Sequence, residues 1–187
     1  QWQNEIGFKK FASHFYNQTS FLIDRKIRRN GANFDLNPFS KEEEELIGLN
    51  TNFRNSLFFN RGKQHHSTTY SFLLNESQNL LSVGSISAKN LSHQLQYQHL
   101  VDKSWLFNFS GSKTLTNSTS ENYPTRNFEI NSYQIEPKIG YLFSKNASWD
   151  IFYEFQQKGN KIGAFEILKQ TRLGTSFNFN SEKGFSM

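Results

Sequence analysis

The chain of 187 residues contains no cysteine. That absence excludes a disulfide scaffold, thiolate metal sites and a cysteine nucleophile. It also lacks any stretch approaching the roughly 18 to 20 consecutive apolar residues that a membrane helix needs, so a membrane role falls to strands or to surface contact. An initiator Met, an apolar signal region and an organelle-targeting signature are all missing, and Gln1 predicts a processed chain or an excised fragment. Helical periodicity is nearly absent. Ser40 followed by Glu43 has capping-box spacing ahead of Leu46 and Ile47, but the same residues read equally as the charged lead-in to a strand, which is the preferred reading. No Gly-x-Ser-x-Gly elbow, His-Glu-x-x-His pair or phosphate-binding glycine loop is present. No catalytic residue and no enzymatic activity are expected.

Charge of one sign is also not concentrated. The net charge is +5, and the one basic cluster, Arg25-Lys26-Ile27-Arg28-Arg29, is balanced by Lys41-Glu42-Glu43-Glu44-Glu45. A solvated loop or an anchor at anionic lipid headgroups explains that cluster with less than a nucleic-acid groove requires, so no nucleic-acid partner is expected. His65-His66 is the most tempting metal pair, yet adjacent strand residues point to opposite faces and neither a carboxylate nor a third His lies nearby in sequence. His93 and His99 flank Tyr97 on an apolar stripe and read as interfacial. The run Glu42 to Glu45 lacks the alternating Asp/Asn and Gly spacing of a calcium loop. No metal and no cofactor are expected, and Asn-x-Ser/Thr triplets such as Asn146-Ala147-Ser148 are chance products of the composition.

What the chain does hold is aromatic. Mean hydropathy is −0.69, a value that suggests weak folding, but 20 Phe, 7 Tyr and 3 Trp recur from end to end. Disordered chains lack them. Their placement follows a two-residue period. Ile47, Leu49, Thr51, Phe53, Asn55, Leu57 and Phe59 alternate with Gly48, Asn50, Asn52, Arg54, Ser56, Phe58 and Asn60. Tyr133, Ile135, Pro137, Ile139, Tyr141 and Phe143 alternate with Ser132, Gln134, Glu136, Lys138, Gly140, Leu142 and Ser144. Similar patterns run over residues 92 to 101, 105 to 110, 149 to 156 and 165 to 179, with weaker strands near 3 to 13, 15 to 28, 67 to 75 and 80 to 89. About ten strands are predicted in one domain spanning residues 1 to 187. Asp102-Lys103 and Lys145-Asn146-Ala147 read as tight turns, whereas residues 30 to 41 and 114 to 127 read as long polar loops.

A sheet with one apolar face buries it in a soluble sandwich or turns it to lipid. Tyr133 to Phe143 spans about 33 Å along a strand, and at a tilt of about 40° covers about 25 Å of height, which is that of an outer-membrane apolar band. Soluble strands usually stop at about 5 or 6 residues. The lipid-facing or interfacial set is then Trp105, Phe107, Phe109, Tyr133, Tyr141, Phe143, Trp149, Tyr153, Phe155, Phe177 and Phe179. The charges Arg54, Glu136, Lys138, Asp150, Glu154, Glu166 and Arg172 fall to the opposite, lumen face. Lys169 and Thr171 interrupt the last stripe, and a mid-membrane lysine costs about 2 to 4 kcal/mol. Lys169 is therefore expected near an interface, at a bulge, or facing something other than lipid.

The runs Leu57-Phe58-Phe59-Asn60-Arg61-Gly62, Asn127-Phe128-Glu129-Ile130 and Ile135-Glu136-Pro137-Lys138, within residues 47 to 187, resemble the C-terminal barrel portion of large outer-membrane proteins of Bacteroidota. The resemblance implies an all-β, antiparallel up-and-down transmembrane β-barrel, whole or partial, in a Gram-negative outer membrane. It implies work as an anchor, a channel, or a membrane subunit of an export or uptake assembly. Outer-membrane lipid and lipopolysaccharide, with other outer-membrane or surface proteins, are the implied partners. Such barrels commonly end on an aromatic residue, whereas this chain ends Gly184-Phe185-Ser186-Met187, so the natural terminus is expected further on. The competing expectation is a soluble or surface-exposed β-sandwich that binds carbohydrate or protein through its aromatics.

Overall fold

The computed structural model describes residues 2–6, 14–29, 44–61, 63, 65–81, 84–144, 146–162 and 166–179. Within them nine strands follow one another: β1 (Trp2–Ile6), β2 (Phe15–Arg29), β3 (Glu44–Phe59), β4 (His66–Leu81), β5 (Gly84–Val101), β6 (Trp105–Ser120), β7 (Phe128–Ser144), β8 (Ala147–Asn160) and β9 (Ile167–Phe179). They lie in one sheet in chain order, each antiparallel to the next. A 3-10 turn at Pro124–Arg126 is the one helical element among the described residues. The sheet is an open meander there: no pairing joins β1 to β9.

Nine strands replace the expected ten because 84 to 89, from the stretch near 80 to 89, and the stretch 92 to 101 belong to one strand, the 18-residue β5, while Leu80 and Leu81 end β4. Polar residues on both faces, Lys89, Asn90 and Ser92 among them, hide the alternation there. Backbone pairing continues through it regardless, with Lys89 opposite Glu76, Asn90 opposite Asn75 and Ser92 opposite Leu73. A second correction concerns residues 114 to 127, which read as a loop. Thr114 to Ser120 complete β6, because β5 and β7 supply partners on both sides, such as Ser92 and Ser132 for Thr114. The connection shrinks to residues 121 to 127. The expected loop over 30 to 41 and the Ser40–Glu43 spacing lie outside the described residues; β3 begins at Glu44. Of the stretch from 3 to 13, residues 3 to 6 fall in β1 and 7 to 13 lie outside.

Turn chemistry fits the hairpins. Asp102 and Lys103 take φ of 50° and 60°, the left-handed pair whose twist matches that of the strands it joins, and Ser104 N–H donates to the Val101 carbonyl at 3.2 Å. Part of the charge balance in the sequence is set side by side by register: Arg28 stands opposite Glu45 across β2 and β3.

The packing inverts that of a water-soluble domain. Among the described residues no apolar side chain is buried, and the buried polar or charged ones are Ser56, Asn60, Ser92, Ser120 and Asp150. Along β7, Tyr133, Ile135, Pro137 and Ile139 are exposed, while Gln134, Glu136 and Lys138 between them are half-buried and Gly140 is buried. In β8, Trp149, Ile151 and Tyr153 are each 42% exposed, while Asp150 is buried. The polar face is the more sheltered one. No second sheet covers either face among the described residues, so a sandwich lacks its other layer there.

Candidate membrane-facing surface and polar face

Register decides which side chains share a face, because directly paired residues point the same way. Phe59, Thr68, Tyr97, Phe109 and Pro137 form one cross-strand row; His66, His99, Phe107, Ile139 and Ile151 form the next; Val101, Trp105, Tyr141, Trp149 and Phe177 form the third. All eleven aromatics expected on the apolar face lie on this one side of the sheet.

The aromatics gather at the rim carrying the Asp102-Lys103 turn. One arc runs from Phe15 to Phe59 (ring centroids 4.9 Å), Phe59 to His66 (5.5 Å) and His66 to His99 (6.3 Å). The other runs from Trp105 to Tyr141 (4.8 Å), on to Phe143 (4.9 Å) and to Phe177 (6.4 Å). Trp149 Nε1–H donates to Thr175 Oγ1 at 2.6 Å. Amphipathic rings with one polar edge suit a level where hydrocarbon meets water.

Toward the opposite rim the same face turns polar. Glu76 and Lys89 pair at 3.1 Å, and Glu129 accepts from Lys161 at 2.9 Å. Lys113 Nζ lies 5.5 Å from the Tyr133 ring centroid. Lys169 stands opposite Gln157, itself opposite Tyr133, and no register shift interrupts β8 and β9. No bulge diverts Lys169 from the aromatic face. On that face it stands between Thr171 and Ile167, in the cross-strand row of Gln157 and Tyr133.

The other face carries amides, hydroxyls and paired charges, with Tyr16, Phe58, Leu73 and Phe152 among them. Gln18, Ser56, Ser71, Gln94, Ser112, Gln134, Gln156 and Gln170 form an uninterrupted polar row across eight strands. Ser56 and Ser71 hydroxyls are 3.0 Å apart. Nearby, Lys138 Nζ meets Asp150 Oδ2 at 3.0 Å, and Asn178 Nδ2–H donates to the same oxygen at 3.2 Å. Glu154 pairs with Arg172 and accepts from Gln134 Nε2–H at 3.0 Å. Four of the seven expected lumen charges thus meet as two pairs across β7, β8 and β9. Arg54 is exposed on the same face of β3. Glu166 precedes β9, is exposed, and uses its backbone carbonyl to accept from Asn160 N–H at 3.0 Å. The strand starts one residue later because the hairpin closes there. Shallow depressions of about 430 and 360 Å³ open on the polar side, the first beside Asn52, Asn75 and Asn90, the second beside Gln96, Asn108 and Lys138.

Several contacts were invisible in sequence. His66 and His99 meet through register alone, and His93 Nδ1 lies 2.7 Å from the Tyr70 hydroxyl. Among the described residues no group of three or more His, Cys, Asp or Glu side chains is placed to hold a metal. The Phe152 ring covers Gly174, with the Arg172 guanidinium 5.5 Å from its centroid.

No family model matches the sequence, and no curated protein matches it. Among solved structures the chain is similar to OmpT (in-vitro folded), an outer membrane protein of Vibrio cholerae, with a TM-score of 0.59 at 9% identity. The match covers 95% of this chain and 55% of that one. This chain therefore spans about half the length of the protein it matches. At that identity the likeness concerns the fold alone.

Proposed function

We propose that this chain forms wall of an outer-membrane β-barrel and acts as a membrane anchor, a channel, or the membrane subunit of an export or uptake assembly. One observation carries the reading: across β6, β7 and β8 the aromatic face is the exposed one and the polar face the sheltered one. In water that arrangement exposes Phe21, Trp105, Ile139, Trp149, Ile151, Tyr153 and Phe177 together on one surface. Soluble monomers rarely expose contiguous apolar patches above a few hundred Å². In a bilayer the same surface meets hydrocarbon, while antiparallel pairing satisfies the backbone.

Strand length supports a definite placement. The 18 residues of β5 extend about 56 Å, or about 43 Å of height at a tilt of about 40°, against an apolar band of about 25 Å. The surplus lies at the rim of the Glu76–Lys89 and Glu129–Lys161 pairs, which projects past the membrane as a polar collar. The aromatic rim marks the other boundary. Lipid and lipopolysaccharide are the partners of the aromatic face, and the style of the sequence supports a source among Bacteroidota. The mechanism is physical: the stripe holds the wall in lipid, and the amide and hydroxyl rows with their paired charges hydrate the inside.

Fluorescence tests this. In a Trp2→Phe background, Trp105 and Trp149 report from the aromatic rim. Vesicles of lipid brominated at shallow acyl positions are expected to quench them more strongly than deeply brominated lipid does. A chain that is monodisperse without detergent and insensitive to either bromolipid overturns the reading.

A further inference from the structure

The polar face divides its charges unevenly. Among the described residues no charged side chain stands on that face of β4, β5 or β6, where Thr69, Asn75, Gln94, Gln96, Gln98 and Asn108 present hydroxyls and amides instead. The charges of the same face lie to either side, Arg54 on β3 and Glu136, Lys138, Asp150, Glu154 and Arg172 on β7 to β9 among them. Several of these are already paired. Lys138 is held by Asp150 and Arg172 by Glu154, whereas Glu136 makes no ion pair or hydrogen bond among the described residues, and neither do the amides of Gln96, Gln98 and Asn108.

Register gathers these unengaged groups into one patch. Gln96, Ser110 and Glu136 stand in one cross-strand row, and Gln98, Asn108 and Lys138 stand in the next. With strands about 4.8 Å apart and like-facing residues about 6.6 Å apart along each, the patch measures about 10 by 7 Å. It lines the depression of about 360 Å³ on the polar side, a volume within the range of small-molecule sites. Half-buried aromatic rings bound the two rows, Phe58 across Thr69 from Gln96 and Phe152 beside Lys138.

The patch disfavours charge of either sign. An anion beside Lys138 meets the carboxylates of Asp150 and Glu136, and a cation beside Glu136 meets the Lys138 ammonium two residues along the same strand face. A hydroxyl group carries no charge and both donates and accepts. Neighbouring hydroxyls on a sugar ring donate to the two oxygens of one carboxylate and accept from amide N–H groups, while Phe58 and Phe152 offer apolar surface to its C–H groups. Since Glu136, Gln96, Gln98 and Asn108 are engaged with no other group among the described residues, such binding breaks no internal hydrogen bond. Building on the reading of the polar face as the inside of a membrane wall, we propose that this patch binds a neutral saccharide, with Gln96, Gln98 and Asn108 donating to its hydroxyl oxygens and Glu136 accepting from a vicinal pair. The solute of the channel, uptake or export reading is then a neutral carbohydrate.

The test uses the 187-residue chain refolded into phosphatidylcholine vesicles, with bromolipid quenching run on the same samples as the check on insertion. Equilibrium dialysis compares two neutral probes, maltohexaose and cellohexaose, with anionic hexagalacturonate and cationic spermidine. The inserted chain is expected to retain a neutral probe and to bind both charged ones about tenfold or more weakly. Removing two amide donors in Gln98→Leu/Asn108→Leu should weaken neutral binding about tenfold or more, and Glu136→Gln about fivefold, because a charged acceptor becomes a neutral one. Gln170→Leu, on the same face of β9, should change it by less than about twofold. An inserted chain that retains neither neutral probe, binds a charged probe as tightly, keeps its affinity in the patch variants, or loses as much in Gln170→Leu overturns the inference and leaves the membrane reading standing. Absence of insertion overturns both.

Discussion

Lys138 Nζ lies 3.0 Å from Asp150 Oδ2, across β7 and β8, and the Asp150 side chain is 7% exposed against 33% for Lys138. Asn178 of β9 donates to the same oxygen, so one carboxylate joins three strands on the polar face. Removing one member of a fully buried ion pair costs about 3 to 5 kcal/mol. Lys138 keeps access to water, which lowers the cost of leaving it alone.

Asp150→Ala is accordingly expected to destabilise the sheet by about 1 to 3 kcal/mol, with Asp150→Asn losing less because the amide oxygen still accepts from Asn178. Urea titration of the protein in lipid vesicles, followed by tryptophan fluorescence, reads the difference. Equal losses for both variants contradict the role assigned to the Asn178 hydrogen bond.

Lys169 and Ile139 share the aromatic face but occupy different levels of it. Lys169→Ala is expected to change stability by no more than about 0.5 kcal/mol. Ile139→Lys is expected to cost about 2 to 4 kcal/mol, the value for a lysine at mid-membrane. Folded fraction in vesicles measures both; a large gain on replacing Lys169 places it within the apolar band instead.

Gly174 is held by a neighbour. A Cβ built there runs into the Phe152 ring, so Gly174→Ala is expected to cost about 1 to 3 kcal/mol through overpacking. Phe152→Leu in the same chain should recover most of that loss. Additive losses in the double variant show that the ring is not what constrains the glycine.

Lys103 adopts φ of 60°, a left-handed conformation that costs a non-glycine residue about 1 to 2 kcal/mol. Lys103→Gly relieves that strain at some entropic expense, for a net gain of about 0.5 to 1 kcal/mol. A rise in the urea midpoint with unchanged slope is the expected readout, and a fall refutes the turn geometry.

Much of the fold is legible from local pattern. Tyr133 to Phe143 and Trp149 to Phe155 alternate so strictly that strand type, extent and apolar face follow from side-chain period alone. Thr114 to Ser120 and the centre of β5 resist the same treatment, since hydroxyls and amides on both faces look like loop until a neighbouring strand is present to pair with them. The two charge pairs show the same limit. Glu136, Lys138, Asp150, Glu154 and Arg172 can be assigned to one face by counting, but which of them meet depends on strand register.

The sequence by itself determined that this protein is a sheet with one aromatic and one polar face, because side-chain direction in a strand repeats every two residues whatever the neighbours are. Tertiary structure decided the rest, since it depends on how far each strand slides past the next. Register draws the rings from Phe15 to Phe177 into two arcs at one rim, places Lys169 beside Gln157 in the row of Tyr133, and brings Lys138 to Asp150. It also leaves β1 and β9 running the same way, a property of the assembled sheet that no single strand contains.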